Sequence, residues 1–181
     1  MDNDLLKLDT YINNFELFIQ RLKDPNFLAV YVIIVITWGV FLFSFISGYT
    51  STWYTNLKHI DINPWIIWIL WIIAGFISYI GLFILWENVS DTDLPKDLHV
   101  TVLFLISNFI FLGWSVSLYQ LESIQLAIWF SVALFVYQMW LVIYIWNINT
   151  LSGLLQIPIL IMYLYLLYYT ITLASLNNIT L

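Results

Sequence analysis

The chain has 181 residues, of which 62% are hydrophobic and 9% charged, and its mean hydropathy is +0.92. So few charges cannot cover a water-soluble domain, which leaves an all-α protein that crosses a membrane several times. The formal net charge of −6 says little about partners, and no nucleic-acid partner is expected. The absence of cysteine excludes disulfides and thiolate metal sites.

Residues 1–26 are predicted to form an N-terminal amphipathic segment that ends at Asp24-Pro25, because the residue before proline resists helical geometry. Its apolar residues recur three and four apart, at Leu5, Leu8, Ile12, Phe15, Ile19 and Leu22. Two interpretations remain open. The helix lies on the membrane surface, or it forms a heptad seam for dimerisation.

Five apolar runs follow, each long enough to cross a bilayer as a helix. The predicted spans cover residues 27–47, 64–86, 100–119, 124–146 and 153–174. Together they predict one transmembrane domain over residues 27–175, followed by a tail at 176–181. Short connections make neighbouring helices antiparallel, so the expected architecture is a five-transmembrane-helix bundle.

Polar side chains recur seven residues apart within the spans, which places each set on one helix face. The sets are Thr37 and Ser44; Thr101, Asn108 and Ser115; Ser131 and Gln138; and Gln156, Tyr163 and Thr170. These polar stripes should point into the bundle, where they either join helices or line a cavity. No acidic or basic residue lies inside a span, which argues against an ion pathway or proton relay. The sequence shows no constellation of nucleophile, base or metal ligands that would indicate an enzyme.

The most informative stretch runs from Trp53 to Trp86. Its loop reads Trp53-Tyr54-Thr55-Asn56-Leu57, and the helix after Pro64 carries Trp65, Trp68, Trp71, Gly81 and Trp86. Further on come Asn108, Phe111 and Trp114, and then Leu154-Leu155-Gln156-Ile157-Pro158. In this order and spacing the chain resembles the TspO/MBR family of tryptophan-rich sensory and translocator proteins. It departs from the family pattern at four positions, Ile60, Phe111, Ile159 and Met162.

The resemblance implies a five-helix bundle, usually dimeric, with a pocket beneath the loop between the first two spans. It implies a lid formed by Trp53, Tyr54 and Leu57. The remaining expected ligand-binding residues are Trp65, Trp68, Trp71, Asn108, Phe111, Trp114 and Pro158. For Asn108 a hydrogen bond between helices is the alternative role.

Family members bind porphyrins, haem-related tetrapyrroles and drug-like aromatic ligands, and some animal members bind cholesterol. A flat apolar macrocycle needs aromatic faces and few polar anchors, which this sequence supplies. A tetrapyrrole is favoured over cholesterol, because the proposed cholesterol pattern ends in Lys or Arg and none follows Lys96. Lys58 or His59 would either meet a propionate at the pocket mouth or remain solvated. No cofactor is required.

Two hypotheses of function follow. In the first, the protein binds a porphyrin-like ligand for sensing, storage or transport, in a cavity lined by the polar stripes. In the second, it is a structural or lipid-organising membrane protein with a packed interior.

Overall fold

The structure is a computed structural model that describes residues 25–60, 64–88 and 94–179. Five long helices and two short ones occur in these ranges: α1 (Pro25–Tyr49), α2 (Thr52–Asn56), α3 (Pro64–Asn88), α4 (Leu94–Tyr119), α5 (Ile124–Ile148), α6 (Thr150–Leu154) and α7 (Ile157–Leu176). No strand is found in the described ranges, and the all-α fold class is confirmed. The predicted amphipathic helix of the N-terminal segment lies outside the described residues.

The long helices are suited to hydrocarbon surroundings. Within the described ranges, three apolar stretches are long enough to cross a membrane: His99–Tyr119, Ile124–Ile148 and Thr150–Leu176. Two shorter apolar stretches, Trp38–Tyr49 and Ile69–Leu85, lie within α1 and α3. Outward-facing side chains are apolar as well, since Phe43, Phe76 and Trp129 are 70%, 68% and 72% exposed. A surface of this kind is stable when lipid covers it.

The long helices are not packed in chain order. α1 packs on α4, α4 on α5, α5 on α7, and α7 on α3. α1 approaches α3 through a side chain, because Trp38 Nε1 donates a hydrogen bond to the Tyr79 hydroxyl at 2.9 Å. Gly48 allows the close packing of α1 on α4, because a Cβ there would lie 2.2 Å from Tyr119 Cβ.

Two local features differ from the elements expected from sequence. The loop predicted over residues 48–63 contains helix α2, whose N-cap is Ser51; its hydroxyl accepts from the Tyr54 amide at 3.1 Å. The fifth span is interrupted at residues 155–156, between α6 and α7. Pro158 lies in the first turn of α7, where a proline fits because first-turn amides have no helical acceptor.

Three residues of the polar stripes, Gln138, Gln156 and Thr170, join helices. Ser107 Oγ donates to Gln138 Oε1 at 3.1 Å between α4 and α5, and Gln156 Nε2 donates to the Ser78 carbonyl at 2.9 Å between α7 and α3. Trp114 Nε1 donates to Thr170 Oγ1 at 3.1 Å between α4 and α7. The side chains of Thr37 and Ser44 lie outside the described part. Interhelical hydrogen bonds of this kind stabilise membrane bundles modestly.

Candidate functional site

A cavity of about 330 Å³ opens at the end of the bundle that carries the loop between α1 and α3. Four helix ends meet there: the C-terminal ends of α1, α4 and α7 and the N-terminal end of α3. The lining residues are Phe45, Tyr49, Tyr54, Thr55, His59, Ile60, Ile67, Trp71, Phe111, Trp114, Tyr119, Tyr165, Leu166 and Tyr169. Of the polar-stripe residues whose side chains the structure describes, none is among them, so for these residues the expectation that the stripes line the ligand cavity is not met.

A stack of three rings forms one wall of the cavity. The Phe111 ring lies between two indoles, with its centroid 4.9 Å from Trp71 and 6.0 Å from Trp114. The interplanar angles are 24° and 7°, so the three ring planes are nearly parallel. Stacked rings present flat apolar faces, the surface that a planar aromatic ligand contacts best.

The described part of the loop between α1 and α3, residues 50–60 and here called the lid, covers the cavity. Tyr54 of α2 is buried, with 5% of its surface exposed, and its hydroxyl lies 2.5 Å from the Tyr169 hydroxyl of α7. His59 Nε2 is 2.7 Å from the Tyr54 carbonyl oxygen. A carbonyl only accepts, so this contact requires the proton on Nε2. Burial, the largest cause, raises the pKa of Tyr54 well above its ordinary value of 10.0, which keeps its hydroxyl protonated.

A second contact holds the loop to the C-terminal end of α7. The amide of Asn177 makes two hydrogen bonds with the backbone of Lys58. Its Oδ1 accepts from the Lys58 amide at 2.9 Å, and its Nδ2 donates to the Lys58 carbonyl at 3.1 Å. This reciprocal pair, here called the Asn177 latch, ties residue 58 of the lid to the last long helix.

The predicted ligand-binding residues fall into three groups. Tyr54, Trp71, Phe111 and Trp114 line the cavity. Trp53 and Leu57 are half-buried and pack against the core beside it. The others, Asn108, Pro158, Trp65 and Trp68, lie elsewhere or outside the described side chains.

Asn108 lines a separate pocket of about 20 Å³, where its Nδ2 donates to the Phe104 carbonyl at 2.9 Å. Pro158 is half-buried in the first turn of α7, away from the lining residues of that helix. The side chains of Trp65 and Trp68 lie outside the described part of the chain. The structure therefore does not bring Asn108 or Pro158 to the larger cavity.

Several lining residues were not predicted from sequence, namely Phe45, Tyr49, Tyr119, Tyr165 and Tyr169. Four of them, all but Tyr165, lie near a helix C-terminus on the side of the bundle that carries the lid, and Tyr165 lies one turn before Tyr169 on α7. In an antiparallel bundle those ends are the C-terminal ends of the first, third and fifth spans. The aromatic residues at these ends could have been predicted to line the cavity on this basis.

The fold and the cavity define an integral, multi-pass membrane protein with an aromatic pocket beneath one loop. A model of the TspO/MBR family matches residues 29–176, and the chain belongs to this family of membrane proteins that bind hydrophobic ligands. No curated protein matches the chain.

Proposed function

We propose that the protein binds a porphyrin or related tetrapyrrole in the cavity beneath the α1–α3 loop, for sensing, storage or transport. The observation that carries the proposal is the composition of the cavity wall, in which nine of the fourteen lining residues are Phe, Tyr or Trp. A flat macrocycle gains most from such a wall. The alternative structural or lipid-organising role predicts a packed interior, and an open cavity favours the ligand-binding role.

The size of the cavity suggests how such a ligand would lie. Protoporphyrin IX, with its vinyl and propionate substituents, is larger than a cavity of about 330 Å³, so one edge would project through the mouth. Lys58 and His59 are both exposed at this loop. A propionate edge directed outward would approach these groups, while the rings contact Trp71 and Phe111. The homodimer implied by the family resemblance stays a prediction.

The proposal is tested by titrating the purified protein in detergent with protoporphyrin IX and following the porphyrin absorbance and fluorescence. We expect saturable binding to the wild type and about tenfold weaker binding to Trp71→Leu, because the variant loses a stacking face. Trp129→Leu removes an indole from the lipid-facing surface and serves as the matched control. Non-saturable uptake, or equal affinity in both variants, would indicate partition into detergent and contradict the proposal.

A further inference from the structure

We propose that the hydroxyl groups of Tyr54, Tyr119 and Tyr169, here called the tyrosine triad, anchor an aromatic ligand through an oxygen that accepts a hydrogen bond. The class of ligand is a planar aromatic molecule bearing a ketone or carboxylate oxygen. This inference rests on the proposed function only in requiring the cavity to hold a ligand. It does not require that ligand to be a tetrapyrrole.

The triad joins three separate elements at the cavity. Tyr54 belongs to α2 in the lid, Tyr119 to the end of α4, and Tyr169 to α7. The Tyr54 hydroxyl is 2.5 Å from that of Tyr169, and the Tyr54 and Tyr119 ring centroids are 5.2 Å apart. All three residues line the cavity. Tyr54 therefore links the lid to α7 through its hydroxyl and packs against α4 through its ring.

The number of protons in the triad leaves at least one donor available. Each phenol carries one O–H, so the three residues have three donors. The hydrogen bond between Tyr54 and Tyr169 uses one of these protons, whichever direction it runs. At least one O–H of the triad therefore remains available. Tyr54 and Tyr119 are 5% and 6% exposed, and a buried hydroxyl without an acceptor is unfavourable. An acceptor oxygen on a bound ligand would satisfy it.

Three other polar groups in the cavity wall already donate to protein oxygens. Thr55 Oγ1 donates to the Ser51 carbonyl at 3.0 Å, and Trp114 Nε1 donates to Thr170. His59 Nε2 donates to the Tyr54 carbonyl. The wall also carries the hydroxyls of Tyr49 and Tyr165 and the indole of Trp71, but the triad groups three hydroxyls and is therefore the cluster of donors best placed to select an oxygen-bearing ligand.

The test uses two probes that differ at one position, 9-fluorenone and fluorene. Both are flat tricyclic molecules, and only the ketone of fluorenone accepts a hydrogen bond. Their affinities are measured by calorimetry in detergent for the wild type and for a triple variant, Tyr54→Phe with Tyr119→Phe and Tyr169→Phe. The triple variant is preferred to single ones because it removes both partners of the Tyr54–Tyr169 hydrogen bond together and leaves neither hydroxyl unsatisfied. Comparing proteins for each probe separately cancels the partition of that probe into micelles.

We expect the triple variant to bind fluorenone about three- to tenfold more weakly, the range of a net hydrogen bond, with fluorene affinity unchanged. The double variant Tyr49→Phe with Tyr165→Phe is the control, because it removes two hydroxyls from the same wall outside the triad. It should leave both affinities unchanged. Thermal unfolding of each variant checks that the fold is intact.

The inference is overturned if fluorenone affinity is the same in the triple variant, which would place the donor elsewhere, for example on the Trp71 indole. It is also overturned if both probes weaken equally, or if fluorenone fails to saturate the wild type. If protoporphyrin IX fails to bind while fluorenone depends on the triad, the tetrapyrrole proposal is lost and the triad stands.

Discussion

Phe111 occupies the centre of the ring stack that forms the cavity wall. Its ring is buried, with 3% exposed, and contacts the indoles of Trp71 and Trp114. The family pattern has tryptophan at this position. A phenyl ring is smaller than an indole, so the substitution keeps a stacking face while leaving more room in the cavity. We infer that Phe111 retains the wall for a flat ligand.

The replacement Phe111→Leu should weaken protoporphyrin IX binding about three- to tenfold and lower the melting temperature. The side chain stays apolar, but the stacking contacts on both sides are lost, and such aromatic pairs contribute about 0.5–1.5 kcal/mol each beyond their buried area. Porphyrin titration and thermal unfolding measure the two effects. Phe76→Leu, on the lipid-facing side of α3, is the matched control and should change neither.

The other departures from the family pattern lie in different environments. Ile60 lines the cavity near the lid, so it contributes to the shape of the mouth. Ile159 and Met162 are buried in the core, at 5% and 8% exposed, and neither lines the larger cavity. Two of the four departures therefore alter the cavity wall directly, and two alter helix packing.

The lid is held to the last long helix and its C-cap at two points. Tyr54 contacts α7 through the Tyr169 hydroxyl, and Lys58 is bound through its backbone by the Asn177 latch. Asn177 also donates to the Leu173 carbonyl at 2.8 Å, which fixes its side chain at the end of α7. We expect a ligand as wide as a macrocycle to displace this lid as it enters the cavity.

Asn177→Ala should therefore accelerate both the association and the dissociation of protoporphyrin IX, while the dissociation constant changes less. Removing two hydrogen bonds to Lys58 lowers the free energy needed to open the lid, and it leaves the ring stack unchanged. Stopped-flow fluorescence measures both rates. Asn147→Ala, at the opposite end of the bundle, is the control. Rates equal to those of the wild type would mean that the latch does not limit entry.

The long helices were predictable from sequence because each is an apolar run of bilayer length. Helix α2 was not, because its five residues carry no periodic signal and depend on the Ser51 cap and the burial of Tyr54. The break before α7 is also a tertiary feature. Gln156 is fully buried there and hydrogen-bonds to Ser78, a partner 78 residues away that local pattern cannot reveal.

At the scale of the whole molecule, the two ends of the bundle are packed differently. One end holds the cavity. The other is filled by a cluster of buried aliphatic and aromatic side chains: Leu82, Leu85, Val100, Leu103, Phe104, Leu141 and Ile145. Within the described residues, this asymmetry favours a pocket that opens at one end over a pore through the bundle.

The residues that line the cavity were only partly predictable from sequence, because the cavity forms where several helices meet. Trp71 and Trp114 could be predicted from the family resemblance, because the resemblance identifies positions along the chain. Tyr119, Tyr165 and Tyr169 required the packing order of the helices, in which α4 and α7 each contribute to one end. The spacing of residues within a helix predicts which helix face each residue lies on, but it does not predict which helix packs against that face.

The most direct test of ligand binding in this cavity fills the cavity with a larger side chain. Leu166 is 4% exposed and lines the cavity, whereas Leu164 on the same helix is 50% exposed toward lipid. Protoporphyrin IX is titrated into wild type, Leu166→Trp and Leu164→Trp in lipid nanodiscs, following the porphyrin absorbance band. We expect one saturable site per chain in the wild type and in Leu164→Trp, and we expect this site to be lost in Leu166→Trp. Undiminished saturable binding to Leu166→Trp would show that the ligand lies outside this cavity.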